Sequence, residues 1–154
     1  MKNALLITFI LLATVSYSQR SKYKNLIEKD GKIGIGTSEP DAILTVKGQI
    51  HTQEVLVDLK GAVAPDYVFE HYFEGSSKLD PSYEFSSLDE VEQFIEKNHH
   101  LPGVPSANEL EKEGMSLKEM NLILLEKVEE LTLYLIEQQK EIETLKDSIS
   151  TSKE

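Results

Sequence analysis

Hydrophobic positions in the last third of the chain follow an unbroken 4, 3, 4, 3 spacing. Leu117, Asn121, Leu124, Val128, Leu131, Leu135, Gln138, Ile142, Leu145 and Ile149 alternate as d and a positions over more than four heptads, with Asn121 and Gln138 as the two polar members. Such a repeat keeps one stripe of a helix against a partner helix and predicts a coiled coil over 117–150. At 1.5 Å per residue that helix is roughly 50 Å long, more than so short a chain can cover with its own residues. These ten residues are the expected oligomer seam. Val128, Ile142 and Ile149 at a, leucine at most d positions and Asn121 at a favour two strands, whereas Leu135 at a and Gln138 at d depart from that pattern. Off the seam the first half of the helix is also apolar, at Leu122, Ile123, Leu125, Leu133, Tyr134 and Ile136. That surplus predicts that upstream elements pack around the helix as a knob, while its polar end projects as a stalk.

Upstream the period changes. Ser87-Leu88-Asp89-Glu90, Ser106-Ala107-Asn108-Glu109 and Ser116-Leu117-Lys118-Glu119 each fit the capping box, in which serine accepts from the third helical amide and glutamate reaches back to the cap amide. They predict helices over 88–97 and 107–113 before the long one, with Asn98 and Gly114 as stops. The segment 65–75, "PDYVFEHYFEG", places Tyr67, Phe69, His71 and Phe73 at period two, with Val68 and Tyr72 opposite, and reads as an aromatic strand or hairpin arm. Further upstream, Ile33 with Ile35, Ile43 to Val46 and Ile50 to Val57 read as short strands broken by a turn at Gly36 to Pro40 and by Gly48. Strands this few and short need another chain or another layer to be stable.

The N-terminal "MKNALLITFILLATVSYSQ" has one basic residue, an apolar run from Ala4 to Val15 and small residues before Gln19. This is the pattern of a secretory signal peptide cleaved after Ser18. The run is shorter than the ~20 residues a membrane span needs. The sequence divides into a signal peptide (1–18), a flexible leader (19–30), a β-rich fibre-like segment (31–60), an α/β knob (61–116), a coiled-coil helix (117–150) and a disordered tail (151–154). The fold class expected is α+β and elongated: short N-terminal β-segments, a small knob and a long C-terminal helix.

Charge and composition narrow the function. The chain carries a formal charge of −11, and the signal peptide contributes one cation, Lys2, and no acid to it. An acidic exported chain is a poor match for nucleic acid or for anionic membrane surfaces. There is no cysteine, so neither disulfides nor a cysteine-based zinc site contribute to stability.

Candidate chemistry is sparse. The histidine pair in "NHHLPGVPSANELEKEG" lies at 99 and 100, and adjacent helical positions point ~100° apart, so they cannot share an ion as an i, i+4 pair would. His51 and His71 fall on separate predicted strands. No metal ligand set and no cofactor are expected. The bland reading of the stretch is a structural corner: Asn98 ends a helix, Pro102-Gly103 turns the chain, Pro105 precedes the Ser106 cap, and Leu101 and Val104 anchor it. No nucleophile elbow, zincin motif or P-loop is present, and "GKIGIG" lacks the third glycine and following helix of a dinucleotide site. The residues before the heptads are net acidic, which excludes a basic leucine zipper.

Two stretches carry a resemblance. "GKIGIGTSEPDAILTVKGQI" is similar to the G-x-[IV]-G-I-G-T-x-x-P segment preceding the C-terminal domain of many phage tail fibres and secreted bacterial fibre-like proteins. "SLDEVEQFIEKNHHLPGVPSANELEKEGMSLKEMNLILLEKVEELTLYLIEQQKEI" resembles the knob and coiled coil of exported bacterial tail-fibre-like proteins, also labelled cell-wall anchor proteins. The resemblance extends over about residues 31 to 146. The resemblance implies a homotrimer of intertwined β-structure, a small α/β knob and a parallel trimeric coiled coil. More distantly the layout resembles the intramolecular chaperone domain of tail spikes and endosialidases, which cuts itself off with a serine-lysine dyad in an S-D-x-R-L-K motif. Here "VLVDLK" keeps Lys60 but has Val55 in the serine's place, and a valine has no hydroxyl to activate. The expectation is therefore a non-enzymatic, exported structural or assembly protein whose partner is itself. The alternative is a surface adhesin or glycan-binding protein using the aromatic segment 67–73, and a core role for those aromatics is the better expectation.

Overall fold

The computed structural model describes residues 24–151 and shows an α+β chain with a small three-stranded sheet and a long C-terminal helix. The signal peptide expected over 1–18 lies outside the described residues. The chain divides into two compact units, one ending at Val55 and the other beginning at Leu56.

The first unit contains β1 (Leu26–Lys29), β2 (Lys32–Ile35) and β3 (Leu44–Val46). Strand β1 corrects the expectation of a loose leader for its described part, 24–30, while residues 19–23 lie outside the described residues. It pairs antiparallel with β2 through Asp30-Gly31, both at positive φ (52° and 74°), the conformation a two-residue hairpin turn requires. The Asp30-Gly31 pair itself, between the lysines Lys29 and Lys32, is the local signal for that turn. Strand β3 pairs parallel with β2, Ile33 opposite Leu44 and Ile35 opposite Val46, after the short connection 36–43. Gly36 makes that connection possible: it sits at φ 73°, and a Cβ there would lie 2.8 Å from the Lys47 carbonyl oxygen. No strand forms over 50–57, contrary to the expectation of one from Ile50 to Val57. A strand is defined by its ladder, and β3 is the last strand of this sheet.

Register fixes the two faces of the sheet. Residues directly opposite one another share a face, so Leu26, Glu28, Ile33, Ile35, Leu44 and Val46 lie on one side. On the other side Gly34 faces the returning loop, where a Cβ would come within 2.5 Å of the Thr37 carbonyl oxygen. Its neighbour Thr45 is buried, its hydroxyl accepting from the Asp41 and Ala42 amides at 3.1 Å and donating to the Asp41 carboxylate at 2.6 Å. The loop thus covers Gly34 and Thr45 on the side that also carries Ile27, and the aliphatic residues of the other face stay partly exposed.

The second unit is helical: α1 (Tyr67–Glu74), α2 (Leu88–Asn98), α3 (Ala107–Glu113) and α4 (Leu117–Thr151). Helix α1 replaces the expected aromatic strand. It is bracketed by Pro65, whose carbonyl accepts from the Val68 amide, and by Gly75 in the left-handed region, which donates to His71. Aromatics favour strands only where a sheet receives them. Here Val68, fully buried, docks α1 along α4 instead, and His71 therefore sits on a helix, not a strand. Helices α2 and α3 carry complete capping boxes at Ser87/Glu90 and Ser106/Glu109. At α4 the Glu119 amide donates to Ser116 at 3.3 Å. Val68, Leu133 and Tyr134 form the small core, with Pro65 beside them.

Candidate functional site: two opposed faces of one helix

Helix α4 continues for 35 residues without a break. All ten seam residues lie on it, and all ten are exposed in the single chain. Leu124, Leu131 and Leu145 retain 52, 58 and 61% of their surface, and the polar members Asn121 and Gln138 are exposed with them. Asn121 is turned back onto its own helix, its amide donating to the Leu117 carbonyl at 2.7 Å.

The buried residues of α4 belong to other heptad positions. With Val128 at a, Glu129 falls at b, Leu133 at f and Tyr134 at g, and these three are the buried ones. Leu122, Ile123, Glu126, Lys127 and Glu130 are half-buried beside them. Positions b, c and f point away from the a/d seam. One side of α4 is thus occupied by the rest of its unit, and the opposite side carries an uncovered aliphatic stripe.

The occupied side holds a polar cluster that the sequence did not announce. Lys127 donates to Glu126 at 2.7 Å and to Glu130 at 3.0 Å, with all three side chains mostly buried. Tyr67 donates to Glu126, and Tyr83 donates to Glu130 at 3.1 Å. The Tyr67 and Tyr83 rings lie 5.0 Å apart. Tyr134 donates to the Ser86 carbonyl at 2.7 Å and stacks on Phe85 at 4.9 Å. Burial alone would push the Lys127 ammonium down, but its bonds to Glu126 and Glu130 outweigh that and hold its pKa above the usual value. Burial first, then the glutamate partners, raise Tyr67 and Tyr83 far above an ordinary phenol. Burial with nearby carboxylates pushes Tyr134 up to about 12.

Glu129 is the exception in this cluster. It is only 7% exposed, and its Oε2 has no hydrogen-bond partner. Burial, followed by the charges of Asp66 and Glu126, raises its pKa. In sequence, charged residues at b, c and f read as a solvated face. The tyrosines that bury them come from a loop and a helix tens of residues away, so no local pattern marks them.

The histidine corner has a structural account. His99 takes the left-handed cap after α2 at φ 61°, donating to the Ile95 carbonyl. His100 packs edge-on against Phe94 at 5.4 Å. Gly103 turns at φ 74°, and the Val104 amide donates to the Leu101 carbonyl. Leu101 is exposed and Val104 half-buried, so the expected pair of buried anchors does not form; the turn is held by its backbone and by the neighbouring side chains. Among the described residues no group of three or more His, Asp or Glu has the geometry to hold a metal ion. No helix among them is long and apolar enough to cross a membrane.

The aromatic segment faces inward for the most part. Tyr72 packs against Phe85 at 5.8 Å, and its phenol is raised by burial and by the Glu137 carboxylate. Phe73 points outward. Comparison with protein-family models, with curated proteins and with solved structures finds no match to this chain. What the fold defines is its class: an α+β chain with a small sheet and a long helix bearing an open heptad face.

Proposed function

We propose that this chain is an exported, non-enzymatic structural protein of the tail-fibre-like kind, and that its work is to assemble three copies of itself. The observation that supports it best is the division of α4 into a packed side and an uncovered a/d side. A helix whose seam folded back on its own unit would bury that stripe; here the unit packs on the other side and leaves it exposed along its whole length. The partly exposed aliphatic face of the β-sheet supports the same reading, since strands of three or four residues are too short to stand alone. The trimer, rather than a dimer, comes from the resemblance of residues 31 to 146 to fibre-like proteins. Export comes from the N-terminal pattern of residues 1–18. The absence of a nucleophile at Val55 favours a chain that stays intact.

The binding-protein reading receives less support, because Tyr67 and Tyr72 are engaged with Glu126, Tyr83 and Phe85 within the subunit. The test of the proposal is the solution mass of the full chain by sedimentation equilibrium, in multiples of its measured chain mass. Three chain masses are expected. Two would retain self-association and reject the fibre-like architecture, and one would reject the seam.

A further inference from the structure

Helix α2 presents a second apolar stripe that the rest of the chain covers only in part, with Leu88 45% and Ile95 38% exposed and Val91 half-buried. Leu88, Val91 and Ile95 fall at i, i+3 and i+7 and form an open face rimmed by Asp89, Glu92 and Glu96. No residue of α2 is fully buried, and Phe94, on a different side of the helix, is the one that meets His100. The position of α2 relative to the seam is fixed at both ends. The residues just before it, Phe85 and Ser86, rest on Tyr134. The turn just after it, at Gly103, lies against the Lys127 ammonium, 3.7 Å from where a Cβ would stand. Tyr134 and Lys127 are both g positions, one heptad apart. Helix α2 is therefore tied along the g edge of α4, the edge that borders the open seam.

In a parallel coiled coil the g edge of one helix faces the e edge of its neighbour. The e column of α4 reads Lys118, Leu125, Thr132, Gln139 and Lys146: an exposed leucine, two lysines and no carboxylate, in a helix otherwise rich in glutamate. The rim of the α2 stripe is all acidic. The two surfaces match in both apolar character and charge, and Leu125 is one of the apolar residues on α4 that neither the seam nor its own knob covers.

We propose that α2 of one subunit is the outer wall of the groove that receives α4 of the next copy, with Leu88, Val91 and Ile95 closing over the neighbour's Leu125 and the acidic rim facing its Lys118. This deepens the self-assembly reading and rests on it. It gives the knob a role in assembly: each subunit clasps its neighbour from outside while the heptads join them from within.

The absence of cysteine from the chain makes the test clean. Ile95→Cys and Leu125→Cys are placed on two separately tagged full-length chains, co-expressed, and treated with a short bismaleimide linker. Leu131→Cys, at a seam d position, serves as the assembly control. The expected result is a covalent pair containing one chain of each tag, together with linkage of the seam control. Seam linkage without the Ile95–Leu125 pair overturns the α2 wall and leaves the coiled coil standing. No linkage in either, with the mass of a single chain, overturns the self-assembly reading and the wall with it.

Discussion

Leu131 and Leu133 lie two residues apart on α4 and, in the proposed assembly, separate subunit packing from self-association. Leu133 is 0% exposed in the single chain and Leu131 is 58% exposed. Truncating a buried leucine to alanine costs about 2–5 kcal/mol, so Leu133→Ala should weaken the subunit itself by that amount. Leu131→Ala removes little from the subunit, where exposed substitutions stay within about 0.5 kcal/mol. Its effect falls on association. Full burial of a leucine is worth roughly 1.5–3 kcal/mol, and with just over half of that still to be gained, the loss is about 1 kcal/mol per chain before any cavity is counted. Three chains meet at each layer of a trimer, giving about 3 kcal/mol from transfer alone, and a cavity at the axis could double it. At 1.4 kcal/mol per tenfold, the association constant falls by roughly 100-fold to 10,000-fold. Sedimentation equilibrium over a dilution series, with thermal melts at each concentration, reads both effects. Leu131→Ala should shift the dilution at which the assembly falls apart, while Leu133→Ala lowers the melting temperature of the subunit fold. A Leu131→Ala protein with the mass and melting behaviour of the parent at every dilution would refute the reasoning.

The buried polar groups and the sheet give further tests. Glu129 has its pKa raised above the unfolded value, so its contribution to stability is present below that unfolded value and is lost as pH rises through the folded pKa. Glu129→Gln should therefore be neutral or stabilising near pH 7 and should flatten the stability profile above pH ~4.5, measured by urea unfolding at several pH values; a strong loss at pH 7 would show that its charge is needed. The raised phenols of Tyr67, Tyr83 and Tyr134 act in the alkaline range, where stability falls once pH passes the unfolded value of about 10, so spectrophotometric titration should show late-ionising tyrosines that join the rest on unfolding. Gly34→Ala drives a Cβ to 2.5 Å from the Thr37 carbonyl oxygen and should loosen the β-unit, seen as faster hydrogen exchange at residues 33–46 with α4 unchanged; equal protection would mean the loop yields at no cost. Tyr67→Ala and Tyr72→Ala should destabilise the helical unit, and a variant that kept its melting temperature while losing binding to a glycan array would favour the adhesin reading instead.

How far the sequence could be read depended on whether the signal was local. Capping boxes are local, and the ones at Ser87 and Ser106 close with both hydrogen bonds in place. The aromatic segment failed because its eight residues satisfy period two and a short helical face alike. Tyr67, Val68, His71 and Tyr72 can point one way on a helix, and only the groove beside α4 decides which is used. The strand expected over 50–57 is absent for the complementary reason: β-branched residues suit a strand, but a ladder needs a neighbour. Asp30-Gly31 is a local hairpin-turn signal, but the mostly polar residues before it do not show the alternation of a strand. The Tyr67–Glu126–Lys127–Glu130–Tyr83 cluster joins residues up to 63 positions apart, and no periodicity encodes such a meeting.

That cluster explains why two faces of one helix can be assigned different work. A purely aliphatic knob face on α4 would be hard to tell from the seam, and either could bind either. Lys127, Glu126 and Glu130 can be buried only where Tyr67 and Tyr83 complete their hydrogen bonds, and a half-satisfied set of charges is worse than none. A neighbouring a/d stripe offers Lys127 no such partners. In the proposed assembly the polar face admits α1 and its following loop and disfavours another helix's leucines, while the a/d face, with no hydrogen bonds to offer beyond Asn121 and Gln138, disfavours the tyrosines. Specificity of this kind costs stability, since Glu129 is buried there with an unpaired oxygen. Replacing Glu126, Lys127 and Glu130 together by leucine should consequently raise the melting temperature of the subunit and, by removing the distinction between the faces, broaden the distribution of oligomers in solution; a sharper, single species would show that the polar face plays no part in choosing the seam.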